Sequence, residues 1–163
     1  MLIYGMDSET VADVIREVSA ESYAGNLEAS RCESNGRDRA GNPKTRFTIR
    51  VRSSFEPGHR LGQQITPNGN RRRVPAACWH VYRDVLAALL ARNPDARLVS
   101  AQGDYRGARA FLDSFERTGD SNIGSQVSPL AYRDACECSP EWDSFSPHVR
   151  RLRETMGALE ALA

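Results

Sequence analysis

Two short cysteine motifs are the first places in this chain where side-chain chemistry could concentrate. Cys78-Trp79-His80 and Cys136-Glu137-Cys138 together supply the four sulfur and nitrogen donors that a structural zinc takes. Their spacing argues against that use. Residues two apart on a helix are rotated by about 200°, so Cys78 and His80 diverge unless they precede its first full turn. A C-x-C pair is also shorter than the usual zinc knuckle. The competing assignment is a core thiol at Cys78 and a helix end at Cys136 and Cys138. His80 and Asp84 stand four apart, close enough on one helix face for a carboxylate to orient an imidazole toward general-base work. No nucleophile in a recognisable motif accompanies them, and no Walker loop, dinucleotide fingerprint, zincin helix or nucleophile elbow occurs. Binding is therefore expected ahead of catalysis, with zinc the one cofactor the residues suggest.

The second chemistry is that of arginine. Of the 22 basic residues all but Lys44 are Arg, and although the formal net charge is only +1, the cations are unevenly placed. Residues 31–75 hold eleven cations against three acids, a basic island suited to phosphate or to an acidic protein, while solvated loops are the bland reading. Within it Arg46, Thr48, Arg50 and Arg52 alternate with Phe47, Ile49 and Val51, so a strand there would carry an apolar face and, with positions two apart spaced by about 6.6 Å, a row of guanidinium groups. Arg71, Arg72 and Arg73 lead into a helix, where cations oppose the dipole and an anion would relieve them. Trp79 and His80 lie just beyond and complete the candidate binding set.

The elements that must position these groups follow from periodicity. Residues 74–94 form the longest periodic apolar stretch, with Pro75 suited to a first helical turn and Asn93-Pro94 to a stop. Cys78, Tyr82, Val85, Leu86 and Leu89 make one stripe, widened by Trp79 and Leu90, so this long central helix should lie across a sheet. The opposite face carries His80, Arg83, Asp84, Ala87 and Ala91, and is where function could lie. Ser8 can cap an earlier helix through Val11, Val14, Ile15 and Val18. Strands are expected at 26–33, 45–52 and 97–102, with a short one near 63–66 and a wide loop over 34–43. Asp104 is a candidate cap for a helix over 105–117, and Ser128-Pro129 for a short helix to about Cys136.

The expected fold is α+β: a small antiparallel sheet of three to four strands packed by the central helix. If Leu2-Ile3-Tyr4 is a strand, the order is βαββαβ, the ferredoxin-like split unit; if not, it is αβββα. Residues 1–138 would make one domain, and 139–163 a linker and a C-terminal amphipathic helix opened by Ser146-Pro147. The stripe Val149, Leu152, Met156 and Leu159 suits one partner, either the domain body or a second copy. No secretory signal and no membrane-spanning run is found, so a cytoplasmic protein is expected.

The segments PAACWH at 75–80, NPDA at 93–96, NIGS at 122–125 and ACEC at 135–138, in this order, resemble those of small mycobacteriophage-like proteins encoded by phages of actinobacteria. That group carries no assigned activity. The likeness spans roughly residues 26–138 and implies a phage product acting in the cytoplasm of a bacterial host cell. The leading expectation is an accessory protein that binds nucleic acid or an acidic host protein through its arginine-rich face, with a host-directed role fitting the class. The others are a virion or assembly component that self-associates through the last helix, and a metal-dependent domain around His80, Asp84 and the two cysteine motifs.

Overall fold

The computed structural model describes residues 1–51, 64–65, 71–72, 79–100, 103–118 and 146–163. The chain runs β1 (Leu2–Tyr4), α1 (Ser8–Ser22), β2 (Leu27–Arg37), β3 (Pro43–Val51), β4 (Gln64–Ile65), β5 (Arg71–Arg72), α2 (Trp79–Arg92), β6 (Arg97–Ser100), β7 (Gly103–Arg106), α3 (Ala108–Thr118) and α4 (Pro147–Leu162). Five strands form one antiparallel sheet in the order β2-β3-β1-β6-β7, and β4 pairs with β5 separately. The fold is α+β, with one strand more than the three to four expected, because residues 103–106 extend the sheet.

Strand β1 pairs antiparallel with both β3 and β6, and β2 pairs antiparallel with β3. Consequently β1 and β2 are parallel with β3 between them, and β3 and β6 are parallel with β1 between them. This is the split βαβ arrangement twice over, crossed by α1 and then α2, as the βαββαβ alternative requires. The αβββα order is set aside, since three residues suffice for β1 when it is paired on both sides.

Alternation decides the faces. Ile3, Phe47, Ile49, Leu98 and Tyr105 are buried under the helices with Val11, Val14, Ile15 and Val18 of α1 and Val85, Leu89 and Leu90 of α2. Ser19 ties α1 to the start of β2: its hydroxyl donates to the Leu27 carbonyl (3.0 Å) and accepts from the Leu27 amide (2.9 Å). Ser19→Ala leaves both buried Leu27 groups without that partner and is expected to lower stability by about 1–3 kcal/mol, read from the urea midpoint.

Local differences from the expectations have simple causes. The cap of α1 is Asp7, whose carboxylate accepts the Thr10 amide (2.8 Å), and Ser8 is already helical. A negative group serves the helix dipole better than a hydroxyl, and that hydrogen bond holds the Asp7 carboxyl below its usual range. The wide loop expected over 34–43 is a tighter turn: the Asp38 amide donates to the Asn42 carbonyl, while the Asp38 carboxylate accepts the Ala40 and Asn42 amides. Asp104 caps no helix; it sits in β7, and α3 begins only after Gly107. Gly107 takes φ +90° and a Cβ there would lie 3.0 Å from the Pro94 carbonyl oxygen, so the strand-to-helix corner needs glycine. The expected stop of α2 at Asn93-Pro94 holds, with Arg92 its last residue. Its start at Pro75 and the short helix near Ser128 lie outside the described residues.

The second face of α2 is covered, with Arg83, Asp84 and Ala87 all buried. What covers it is the C-terminal helix α4, whose stripe meets the first of the two partners expected for it, the body of the chain at α2, burying His148, Val149 and Leu152. The linker proper, 139–145, lies outside the described residues. Among the described residues no helix is long and apolar enough to cross a membrane.

Candidate nucleic-acid interface

Because the helices take one face of the sheet, the alternate residues form a second face that they leave uncovered. Directly opposed residues in an antiparallel pair share a face, so the register orders this surface. One row crosses Lys44, Tyr4, Arg97 and Arg106 on β3, β1, β6 and β7. The next crosses Glu33, Arg46, Leu2, Val99 and Asp104. Thr48 opposes Arg31, and Arg50 opposes Glu28. With strands about 4.8 Å apart, the first row places its side chains across roughly 14 Å.

At its centre stands the Tyr4 ring. The Lys44 ammonium lies 5.9 Å and the Arg97 guanidinium carbon 5.3 Å from the ring centroid, both within cation–π range. Arg97 is held in place by Asp104 through two hydrogen bonds, Nε to Oδ1 at 2.8 Å and Nη2 to Oδ2 at 2.5 Å. This pairing holds the Asp104 carboxyl below its usual range, with Arg106 adding to the effect. Arg31 pairs with Glu33 (2.5 Å) and Arg50 with Glu28 (2.7 Å).

Six cations (Arg31, Lys44, Arg46, Arg50, Arg97, Arg106) thus share the face with three acids, Glu28, Glu33 and Asp104. Each acid is bound to an arginine. Among the described residues, Lys44, Arg46 and Arg106 have no carboxylate, and Arg46 and Arg106 are exposed. Arg97 and Arg106 face each other directly across β6 and β7. Like charges so opposed are destabilising, and Lys44 extends the same row on the far side of the ring. A polyanion laid over the face would remove that repulsion.

The structure brings together Arg46 and Arg50 of the arginine row, with Thr48 between them. Arg71 and Arg72 are the two residues of β5, opposite Ile65 and Gln64; their side chains, with Arg52 and Arg73, lie outside the described residues. Trp79 and His80 open α2, and their side chains lie outside as well. Asp84 is committed elsewhere, to Tyr23 and Ser146. Cys78, Cys136 and Cys138 of the candidate zinc set lie outside the described residues, among which no group of three His, Cys, Asp or Glu forms a metal site. The fourth cysteine, Cys32, is a free thiol donating to the Ser8 carbonyl, with burial pushing its pKa up.

Sequence reasoning missed Tyr4, Lys44, Arg97 and Arg106. Their only signal was parity: Tyr4 is one residue from buried Ile3, and Arg97 and Arg106 flank Leu98 and Tyr105. That parity becomes a surface only once β6 and β7 are known to pair.

Comparison of the chain with protein-family profiles, with curated proteins and with solved structures finds no match to any of them.

Proposed function

We propose that this protein binds single-stranded nucleic acid across the open face of β3, β1, β6 and β7. The observation that carries the reading is the row Lys44, Tyr4, Arg97, Arg106: an aromatic ring flanked by cations, with Asp104 the single acid bound to it among the described residues. An unpaired base can stack on such a ring or on a guanidinium plane while its phosphates meet the neighbouring cations. A duplex is the poorer fit, because base readout in the major groove calls for a helix or ribbon that enters it, and this surface is the broad face of a sheet. Arg46 and Arg50 extend the phosphate track along β3.

The resemblance to actinobacterial phage proteins supports a phage product working inside a bacterial cell, where single strands arise during replication and transcription. An acidic protein partner would use the same cations but not the ring.

The test is fluorescence anisotropy of a labelled single-stranded oligonucleotide against the full chain over a range of salt. Binding should weaken steeply with salt, and Arg46→Glu with Arg106→Glu should reduce the slope of log K against log salt by about 0.7 for each phosphate that no longer meets a cation. Tyr4→Ala should cost about 1–3 kcal/mol of affinity, or roughly five- to 150-fold. Absence of binding at low salt, or an unchanged affinity in the double variant, would overturn the reading.

A further inference from the structure

The first turns of α4 are fastened to the body by buried polar groups that the sheet face does not use. Ser146 caps the helix by accepting the Val149 amide (3.3 Å), and its hydroxyl donates to Asp84 Oδ1 at 2.6 Å. The Tyr23 hydroxyl donates to the other oxygen of Asp84 at 2.5 Å. Two residues along, the His148 ring is 1% exposed, with Nε2 2.8 Å from the Ser22 hydroxyl. Its Nδ1 is buried without a hydrogen-bond partner.

Only His148, Val149 and Leu152 of α4 are buried, all within its first two turns. Beyond Leu152, Met156 is half-buried against the core, Leu159 and Leu162 are exposed, and the ion pairs of α4 at the surface include Arg151 to Glu21 and Arg109 to Glu160. Such pairs contribute little. The docking of α4 therefore rests mainly on one short stretch with an imidazole in its middle.

We propose that His148 makes α4 a proton-released clasp, docked on α2 at neutral pH and detached as a unit in mild acid while the five-stranded sheet stays folded. The inference stands apart from the nucleic-acid reading. A second proton on the ring would place a charge and an N–H donor in a site that offers Nδ1 no acceptor, whereas a detached helix would give both to water.

The charged groups around the ring do not cancel this. Burial has the largest influence and pushes the His148 pKa below the usual 6.5. Asp84 and Glu21 favour the imidazolium, while Arg151 and Arg83 oppose it. The detached helix thus binds the proton more readily than the docked one. Docking is at full strength above about pH 6.5 and weakens as pH falls below it, about tenfold per unit, until the lower docked pKa is reached. Glu21, held below its ordinary 4.5 by the Arg151 hydrogen bond, loses its charge only under more acidic conditions.

Hydrogen exchange of the full chain at pH 7.5 and 5.5, corrected for intrinsic rates, tests the clasp. Protection of the α4 amides should fall, by at most about tenfold, while β1 and β3 keep theirs, and His148→Gln, which keeps a partner for Ser22 but does not titrate, should abolish the change. Constant α4 protection, a parallel loss in the sheet, or the same drop in His148→Gln would overturn it. Should that variant fail to fold, an imidazole NMR titration of the wild type decides. His148 should titrate below 6.5 together with a shift of the α4 resonances, and titration at 6.5 with α4 unmoved would overturn the clasp.

Discussion

Asp84→Ala is expected to lower the unfolding free energy by about 3–5 kcal/mol, a large part of the roughly 5–15 kcal/mol a domain possesses. Its carboxylate joins three elements: Tyr23 at the end of α1, Ser146 at the start of α4, and α2 itself. Arg83, the neighbouring residue, is fully buried, with Nη2 3.5 Å from Asp84 Oδ1. Alanine removes a negative charge from beside a buried positive one and takes the acceptor from two buried hydroxyls at once. Charge-assisted hydrogen bonds contribute about 1.5–3 kcal/mol each, so Tyr23→Phe alone should show a smaller loss in the same urea titration. Asp84→Asn separates the contributions, since it keeps the shape and one acceptor but not the charge. A wild-type midpoint for Asp84→Ala would mean that the network does not hold the three helices together.

Leu152→Asp is the second large effect, and its interest lies in which equilibrium it moves. Read from the heptad-like spacing alone, Leu152 suited either the domain body or a second copy, and in the second case Leu152→Asp would simply yield a monomer. In the structure Leu152 is fully buried in the chain's own core, beside Val149. Truncation to alanine there costs about 2–5 kcal/mol. Aspartate should cost more, because a carboxylate would be buried without a partner. The urea midpoint should fall by an amount independent of protein concentration. Leu159→Asp, two stripe positions further along and 46% exposed, should lie within about 0.5 kcal/mol of wild type. A concentration-dependent midpoint would return the stripe to an intermolecular role.

These two cases show what was legible before the fold was known. Of the stripe Val149, Leu152, Met156 and Leu159 read from helical spacing, the first two are buried, Met156 is half-buried and Leu159 is exposed, while the Ser146-Pro147 start is where the cap lies, because that signal is local. Which body the stripe meets is a tertiary fact that spacing does not contain. Arg83 and Asp84 illustrate the same limit from the other side. Charged residues opposite an apolar stripe ordinarily face water, and only the arrival of α4 turns them inward. The alternation of Phe47, Ile49 and Val51 with arginines located β3 and its open face correctly, whereas β7 was read as a helix start because Asp104 resembles a cap. The cross-strand partner that explains Asp104, Arg97, is seven residues away and visible only after pairing.

The position of β1 bears on how the protein comes into being. Leu2 pairs with Arg46 on one side and Val99 on the other. At a ribosomal rate of about 5–20 residues per second, roughly five to twenty seconds separate the making of Leu2 from that of its second partner. The hairpin of β2 and β3 needs only microseconds. For about the second half of that interval the nascent chain holds a formed hairpin and a first strand with one flank still open, the kind of flank to which other chains can add. The strand at the centre of the finished sheet is thus made before the strands on either side of it and is among the last to be enclosed.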